Sequence, residues 1–267
     1  MAKLFPKISI VTPSFNQGQF LEKTILSIIT QNYPNLEYII IDGGSTDNSV
    51  KIIKKYQKYL KYWQSKKDHG QADALNIGFR HSTGEILCWL NSDDILLPYS
   101  LNLIAQLFTQ FPKLNWLTSQ SVIIDNQDQI IHTGLHFGKS RLFLKLGLYH
   151  GKCLGFIPQE GTFWRYSLWQ KVSAKIPNYW GALDYHLWRN FAKFSDLVNL
   201  EAPLAAFRFH SQQKTMAIKK YYREINPLLP YLPKFIGIIG RIVGPFSRRL
   251  CPRITFNKKT SQWEFHP

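Results

Sequence analysis

The sequence predicts an α/β fold, a mostly parallel sheet flanked by helices, and three observations lead there. Short apolar, β-branched runs at 8–12, 36–41 and 86–90 have the length of buried strands. Stretches with helical spacing of apolar residues lie between them, joined by polar turns. Each run also stops abruptly in polar or acidic residues. Three strand-helix units in about ninety residues require right-handed crossovers, which carry their polar tips to one edge of the sheet.

Taken in order, Ile8 to Thr12 opens into a loop beginning at Pro13, and Leu21, Ile25, Ile28 and Ile29 then recur at helical spacing until Pro34 intervenes. Leu36 to Ile41 ends in Asp42, Gly43, Gly44, Ser45, Thr46 and Asp47. The glycines let backbone approach a ligand, and Ser45 or Thr46 is placed to cap a helix whose N-terminus favours anions. A third strand is expected from Tyr59 to Ser65, and a helix with Ala72, Leu75 and Phe79 on its apolar face follows Asp68. The run Ile86 to Leu90 delivers Asn91, Ser92, Asp93 and Asp94 to its tip, and Pro98 blocks extension. Adjacent carboxylates repel unless a cation or shared proton offsets them, so a divalent metal, Mg or Mn, fits this tip. A solvated acidic turn is the alternative for an isolated Asp-Asp. The topology nonetheless gathers Asp42, Asp73, Asp93 and Asp94 into one crevice.

The second half is less regular. Residues 101–108 read as helix, and 116–124 with 130–132 flank a polar turn as a hairpin. The aromatic and basic stretch 134–155 either lines an acceptor groove or forms a mobile flap. A strand is expected at 157–165, entering a helix at 167–172. Asp184 opens a helix bearing Leu183, Leu187 and Phe191; it is either a dipole-stabilising acid, worth about 0.3–1 kcal/mol, or a general base. A late strand, 203–210, ends in His210 and Lys214, a structural imidazole or the start of a diphosphate-binding tail. This divides the chain into 1–215, with halves 1–110 and 111–215, and a basic, apolar C-terminal extension at 216–267. The extension is too broken by Pro and Gly to span a bilayer. It suits an anionic membrane surface, or packs on the parent domain.

With 267 residues, 45% of them hydrophobic, the chain can bury a full core, which excludes global disorder. Its 33 Lys and Arg against 17 Asp and Glu give a charge of +16 that attracts polyanions. No nucleic-acid-binding motif accompanies that charge, so a specific nucleic-acid partner is not expected. Three cysteines without metal-like spacing, and a polar start without a leader pattern, point to the cytoplasm, and the basic extension points to a peripheral position on the inner face of the cell membrane or to packing on the domain.

The order of these pieces resembles family 2 glycosyltransferases of the GT-A fold. The residues that carry it are Ile8-Ser-Ile-Val-Thr-Pro-Ser-Phe-Asn16, Ile41-Asp-Gly-Gly-Ser-Thr-Asp47, Asp68-His-Gly-Gln-Ala-Asp-Ala-Leu-Asn76, Gly84-Glu85 and Asn91-Ser-Asp-Asp94. The resemblance implies transfer of a sugar, with inversion, from a nucleotide-diphosphate sugar to a hydroxyl of a glycan or lipid-linked acceptor, in cell-surface polysaccharide or lipid-linked glycan synthesis. It implies that Thr12, Pro13 and Asp42 hold base and ribose, and that Asp73 lies near the ribose and sugar. Asn91, Asp93 and Asp94 correspond to the acidic motif for nucleotide sugar and metal. Asp184 matches the proposed base, and His210 with Lys214 the late element facing metal and diphosphate. The chain departs from the family pattern at Gly43 and Asn91, where many members carry acids, and at Leu183, which replaces a common Glu. The competing expectations are a nucleotide-binding module of the same fold without turnover and a basic nucleic-acid binder.

Overall fold

The computed structural model describes residues 5–134, 138–226 and 251–267. A nine-stranded sheet runs through it in the order β13-β12-β10-β6-β9-β4-β1-β2-β3. Its N-terminal half is the expected one, with the third strand starting later than Tyr59: β1 (Ile8–Ser14), β2 (Leu36–Asp42), β3 (Tyr62–Ser65) and β4 (Ile86–Trp89) are mutually parallel. Helices α1 (Leu21–Ile29), α2 (Ser49–Tyr56) and α3 (Gln71–Arg80) connect them. Ile8, Ile10, Val11, Ile39, Ile40 and Ile41 have no solvent exposure, as strands covered on both faces require. Register pairs Ser14 with Asp42 and Asp42 with Ser65, so the polar tips do share one edge.

Beyond β4 come the short β5 (Ile95–Leu96) and helix α4 (Ser100–Gln110), and then the expected strands divide. The stretch 116–124 is two strands, β6 (Trp116–Gln120) in the large sheet and β7 (Val122–Ile124) in a four-stranded sheet ordered β5-β11-β7-β8, where β8 is Ile130–Thr133. The expected hairpin is β7 with β8. The expected strand 157–165 shortens to β9 (Thr162–Arg165), antiparallel between β4 and β6, followed by α6 (Tyr166–Lys171). The expected strand 203–210 is β11 (Ala205–Arg208) in the smaller sheet, and β10 (Val198–Pro203), which precedes it in the large sheet, was not expected. The chain changes sheets at Leu204, whose carbonyl accepts Leu97 N–H and Ser100 Oγ. An apolar run looks the same whether it stays in one sheet or crosses to another.

In the stretch 134–155, the described part holds a short helix, α5 (Arg141–Lys145), packed on α7 (Leu183–Phe191). Of the C-terminal extension, α8 (Ile218–Ile225) and the hairpin β12 (Arg253–Asn257) and β13 (Gln262–His266) are described. That hairpin was not anticipated: β12 pairs parallel with β10, and Ile254 is wholly buried. Most of the apolar, Pro- and Gly-rich stretch expected at a membrane surface, 227–250, lies outside the described residues. Among the described residues no helix is long and apolar enough to cross a membrane.

The core is organised by tryptophans. Trp89, at the end of β4, stacks on Trp188 of α7 with centroids 5.5 Å apart, and Trp164 meets both edge-on at 5.7 Å. Trp116 and Phe191 complete the cluster. This joins the strand that delivers Asn91 to Asp94 to the helix that carries Asp184.

Candidate active site

The site is built at the tips of the parallel strands. Asp42 is fully buried, and its carboxylate accepts Gly44 N–H, Ser45 N–H, Ser45 Oγ and Ser65 Oγ. It therefore folds the loop after β2. Thr12 is buried beside it, its hydroxyl 3.2 Å from the Tyr38 hydroxyl, and Pro13 is buried too. Gly43 is explained by Asp68, quoted within its motif but given no role there. A Cβ at 43 would stand 3.0 Å from Asp68 Oδ2, so the carboxylate of Asp68 occupies the space of the missing side chain. Burial, with the charges of Asp73 and Asp42, raises the pKa of Asp68, while Gly70 N–H donates to it. Asp73, in the first turn of α3, accepts His69 N–H at 3.2 Å.

A relay of side chains crosses the crevice floor. Gln159 Nε2 donates to the Trp89 carbonyl at 2.7 Å and its Oε1 accepts from Asn91 Nδ2 at 2.9 Å. Asn91 Oδ1 accepts from Gln71 Nε2 at 2.8 Å, and Gln71 Oε1 accepts from Lys214 Nζ at 2.8 Å. Asn91 Nδ2 also lies 3.2 Å from Asp94 Oδ2. Asn91 is thus a donor toward two acceptors, a task no carboxylate performs. Desolvation lowers the pKa of Lys214, and Lys220 adds to that effect.

The two acids after Asn91 point different ways. Asp93 Oδ2 lies 3.0 Å from His210 Nε2, across 117 residues of sequence. Asp94, expected at the metal, is 1% exposed and accepts Arg208 N–H at 2.9 Å as well as Asn91 Nδ2. It thereby ties β11 to the turn. Behind both sits Arg208, fully buried, with Nε on the Asp93 carbonyl and Nη1 on the Asp125 carbonyl. Asp128 faces the same guanidinium; burial opposes its charge, but hydrogen bonds from Lys23 and Arg208 hold its carboxyl below the usual range. The described residues contain no group of three His, Cys, Asp or Glu side chains placed to hold a metal. Asp93 and His210 remain a carboxylate and an imidazole on one lip, a donor set that suits a divalent cation completed by phosphate oxygens and water.

Asp184 stands apart from this group, in the first turn of α7. Burial raises its pKa to about 6, against the 2.7 Å bond it accepts from Tyr185 N–H. Glu160, in the turn before β9, is 5% exposed, and burial together with the charge of Asp184 raises it to about 7. The same Glu160 also acts on Asp94, so it lies electrostatically between the strand tip and Asp184. Neither Gln159 nor Glu160 carried a sequence signal, since both sit in a turn. Gln71 lay inside a motif already singled out, and Arg208 inside the expected late strand.

The profile described as Glycosyl transferase family 2 matches residues 9–170. The chain belongs to that family. As a family 2 glycosyltransferase it is 28% identical over 281 residues to an uncharacterised glycosyltransferase of Nostoc sp., covering 97% of this chain and 84% of that one. A 90-residue stretch, 33% of this chain and 34% of the relative, is 40% identical to an uncharacterised glycosyltransferase of Mycobacterium tuberculosis. A Rickettsia felis relative is 27% identical, and this chain spans 37% of its length. Among solved structures, S. aureus TarS 1–349 in complex with UDP-GlcNAc aligns at a TM-score of 0.63 with 16% identity, over 91% of this chain and 74% of that one. The mannosyltransferase PcManGT from Pyrobaculum calidifontis, in complex with GDP-Man and Mn2+, aligns at 0.60 with 17% identity, over 91% and 72%. Both likenesses bear on the fold, which is GT-A.

Proposed function

We propose that this family 2 glycosyltransferase moves a sugar from a nucleoside-diphosphate sugar to an acceptor hydroxyl in one inverting displacement. The observation that carries the reading is the contact of Asp93 with His210 at the strand tips, beside a relay that runs from Asn91 through Gln71 to Lys214. The nucleotide would lie along Thr12, Pro13 and Asp42, with Asp68 facing the base and Asp73 the ribose and sugar. Asp93 and His210 would hold a divalent metal, Mg or Mn, and Asp94 and Asn91 would keep the turn in shape. The structures with UDP-GlcNAc and with GDP-Man and Mn2+ support a nucleotide-sugar donor and a metal of this type.

The chemistry follows from the charges. As the bond from sugar carbon to diphosphate oxygen breaks, its electrons pass to the leaving diphosphate, whose negative charge grows. A bound divalent cation would stabilise that charge as a Lewis acid. Lys214 would contribute a further positive charge on the same side. On the opposite side Asp184 takes the acceptor hydroxyl proton while the new carbon–oxygen bond forms. A carboxyl at about 6 is still ionised at neutral pH, yet is a stronger base than an ordinary aspartate. The proposed acceptor is a glycan or lipid-linked hydroxyl reached from the cytoplasm, the chain resting on an anionic membrane face.

The test is thermal stabilisation by UDP, GDP, dTDP and CDP, each with Mn, Mg or chelator. A nucleotide at a hundredfold its Kd should stabilise by about 2.7 kcal/mol. A metal-dependent rise with one nucleotide, and hydrolysis or transfer of its sugar, is the expected result. Stabilisation without turnover would point to the inactive module, and no shift with any nucleotide would end the proposal.

A further inference from the structure

Helix α7 begins without a cap of its own: its N-cap position is Ala182, which makes no side-chain hydrogen bond. N–H groups at a helix start have no partner within the helix and need acceptors. That of Ala182, with the two amides before it, finds one in a residue more than forty positions downstream. The Glu224 carboxylate on α8 accepts Trp180 N–H at 2.6 Å, Gly181 N–H at 2.8 Å and Ala182 N–H at 2.9 Å. Its backbone carbonyl accepts His186 Nε2 at 3.2 Å, one turn further along α7, and that imidazole stacks on Tyr179 at 3.7 Å. The peptide at 180 is held from its other end as well, because Lys214 Nζ donates to the Trp180 carbonyl at 3.1 Å. Lys220 covers the indole of Trp180 at 3.9 Å.

We infer that Glu224 is the positioning residue for the base-bearing helix, and that α8 is a strap setting where Asp184 stands relative to the donor crevice. Asp184 is two residues from the clamped segment, so the carboxylate that gathers residues 180–182 also determines how the first turn of α7 presents its acid. On the donor side Lys214, just before α8 in the chain, contacts both Gln71 and Trp180. A diphosphate that drew Lys214 toward itself would release one grip on residue 180 and leave Glu224 as the other. The inference rests on Asp184 being the base, and its test separates the two.

Glu224→Gln keeps the shape but presents an NH2 group to backbone donors, and Glu224→Ala removes the acceptor altogether. Lys219→Ala on the same helix serves as the control. In Glu224→Gln we expect kcat to fall about tenfold to a hundredfold, the size of effect that small misplacements produce, with donor KM within about twofold of the wild type. Amide hydrogen exchange across residues 180–182 should accelerate at the same time, and Lys219→Ala should match the wild type in both. Wild-type kcat in both Glu224 variants, or unchanged protection of those amides, overturns the inference. So does a parallel loss of kcat and donor affinity, which marks general loosening. If the wild type itself transfers no sugar from any donor, the glycosyltransferase reading fails, while the exchange experiment still decides whether Glu224 clamps α7.

Discussion

At the scale of single residues, Asn91 shows how an amide can be the right group at a position where an acid is the common choice. Its NH2 faces Gln159 Oε1 and Asp94 Oδ2, and its oxygen receives Gln71. In Asn91→Asp those two acceptors would face a third. We expect a loss of about 1–3 kcal/mol in urea unfolding, the cost of leaving buried polar groups unpaired. A variant as stable as the wild type would show that the relay is not a determinant of the turn. Asp184 makes a different prediction. Its pKa is raised to about 6 by burial, and only the ionised form accepts a proton, so kcat should climb as pH rises from about 5 to 7 and then level. Asp184→Asn should lower kcat by about 100- to 10,000-fold while nucleotide-induced stabilisation persists. Unchanged turnover would remove Asp184 from the mechanism.

At the scale of elements, the junction between β4 and α7 fixes the strand that carries Asp93 relative to the helix that carries Asp184. The stacked Trp89 and Trp188 rings supply rigidity that a loop contact would not. The C-terminal hairpin does comparable work at the far edge. Residues 253–257 cover the open side of β10, and Gln110 on α4 donates to the Trp263 carbonyl at 2.9 Å. Deleting residues 251–267 should therefore expose the edge of β10 and the buried Ile254 contact surface, and we expect a broadened, less cooperative melting transition with aggregation. A truncated chain with the wild-type melting curve would show the hairpin to be an appendage.

At the scale of the whole molecule, the +16 charge is a long-range property that no single contact expresses. It should draw the chain to anionic vesicles at about 0.05 M salt and release it as the Debye length contracts above about 0.3 M. Co-sedimentation checks this, and equal binding to neutral vesicles would assign the attraction to apolar contact instead. On the proposed function, the same field would offset the repulsion that Asp42, Asp68, Asp73 and Asp93 exert on a diphosphate.

The parallel half of the fold was legible because local pattern suffices there: each buried strand is a continuous apolar run, and right-handed crossovers leave one way to assemble them. Asp42, Asp73, Asn91, Asp93 and Asp94 could be placed at one edge for that reason. Their directions could not. Whether Asp94 faces ligand or Arg208 depends on where β11 crosses into the second sheet, and an apolar run carries no mark of that crossing. The space beside Gly43, filled by Asp68, and the uncapped start of α7, served by Glu224, are likewise contacts between distant segments. Sequence by itself pointed to the family and to the edge where the strand tips gather. Tertiary structure alone decided which of the acids there hold backbone, as Asp42 and Asp94 do, because a carboxylate's role is set by the donors around it.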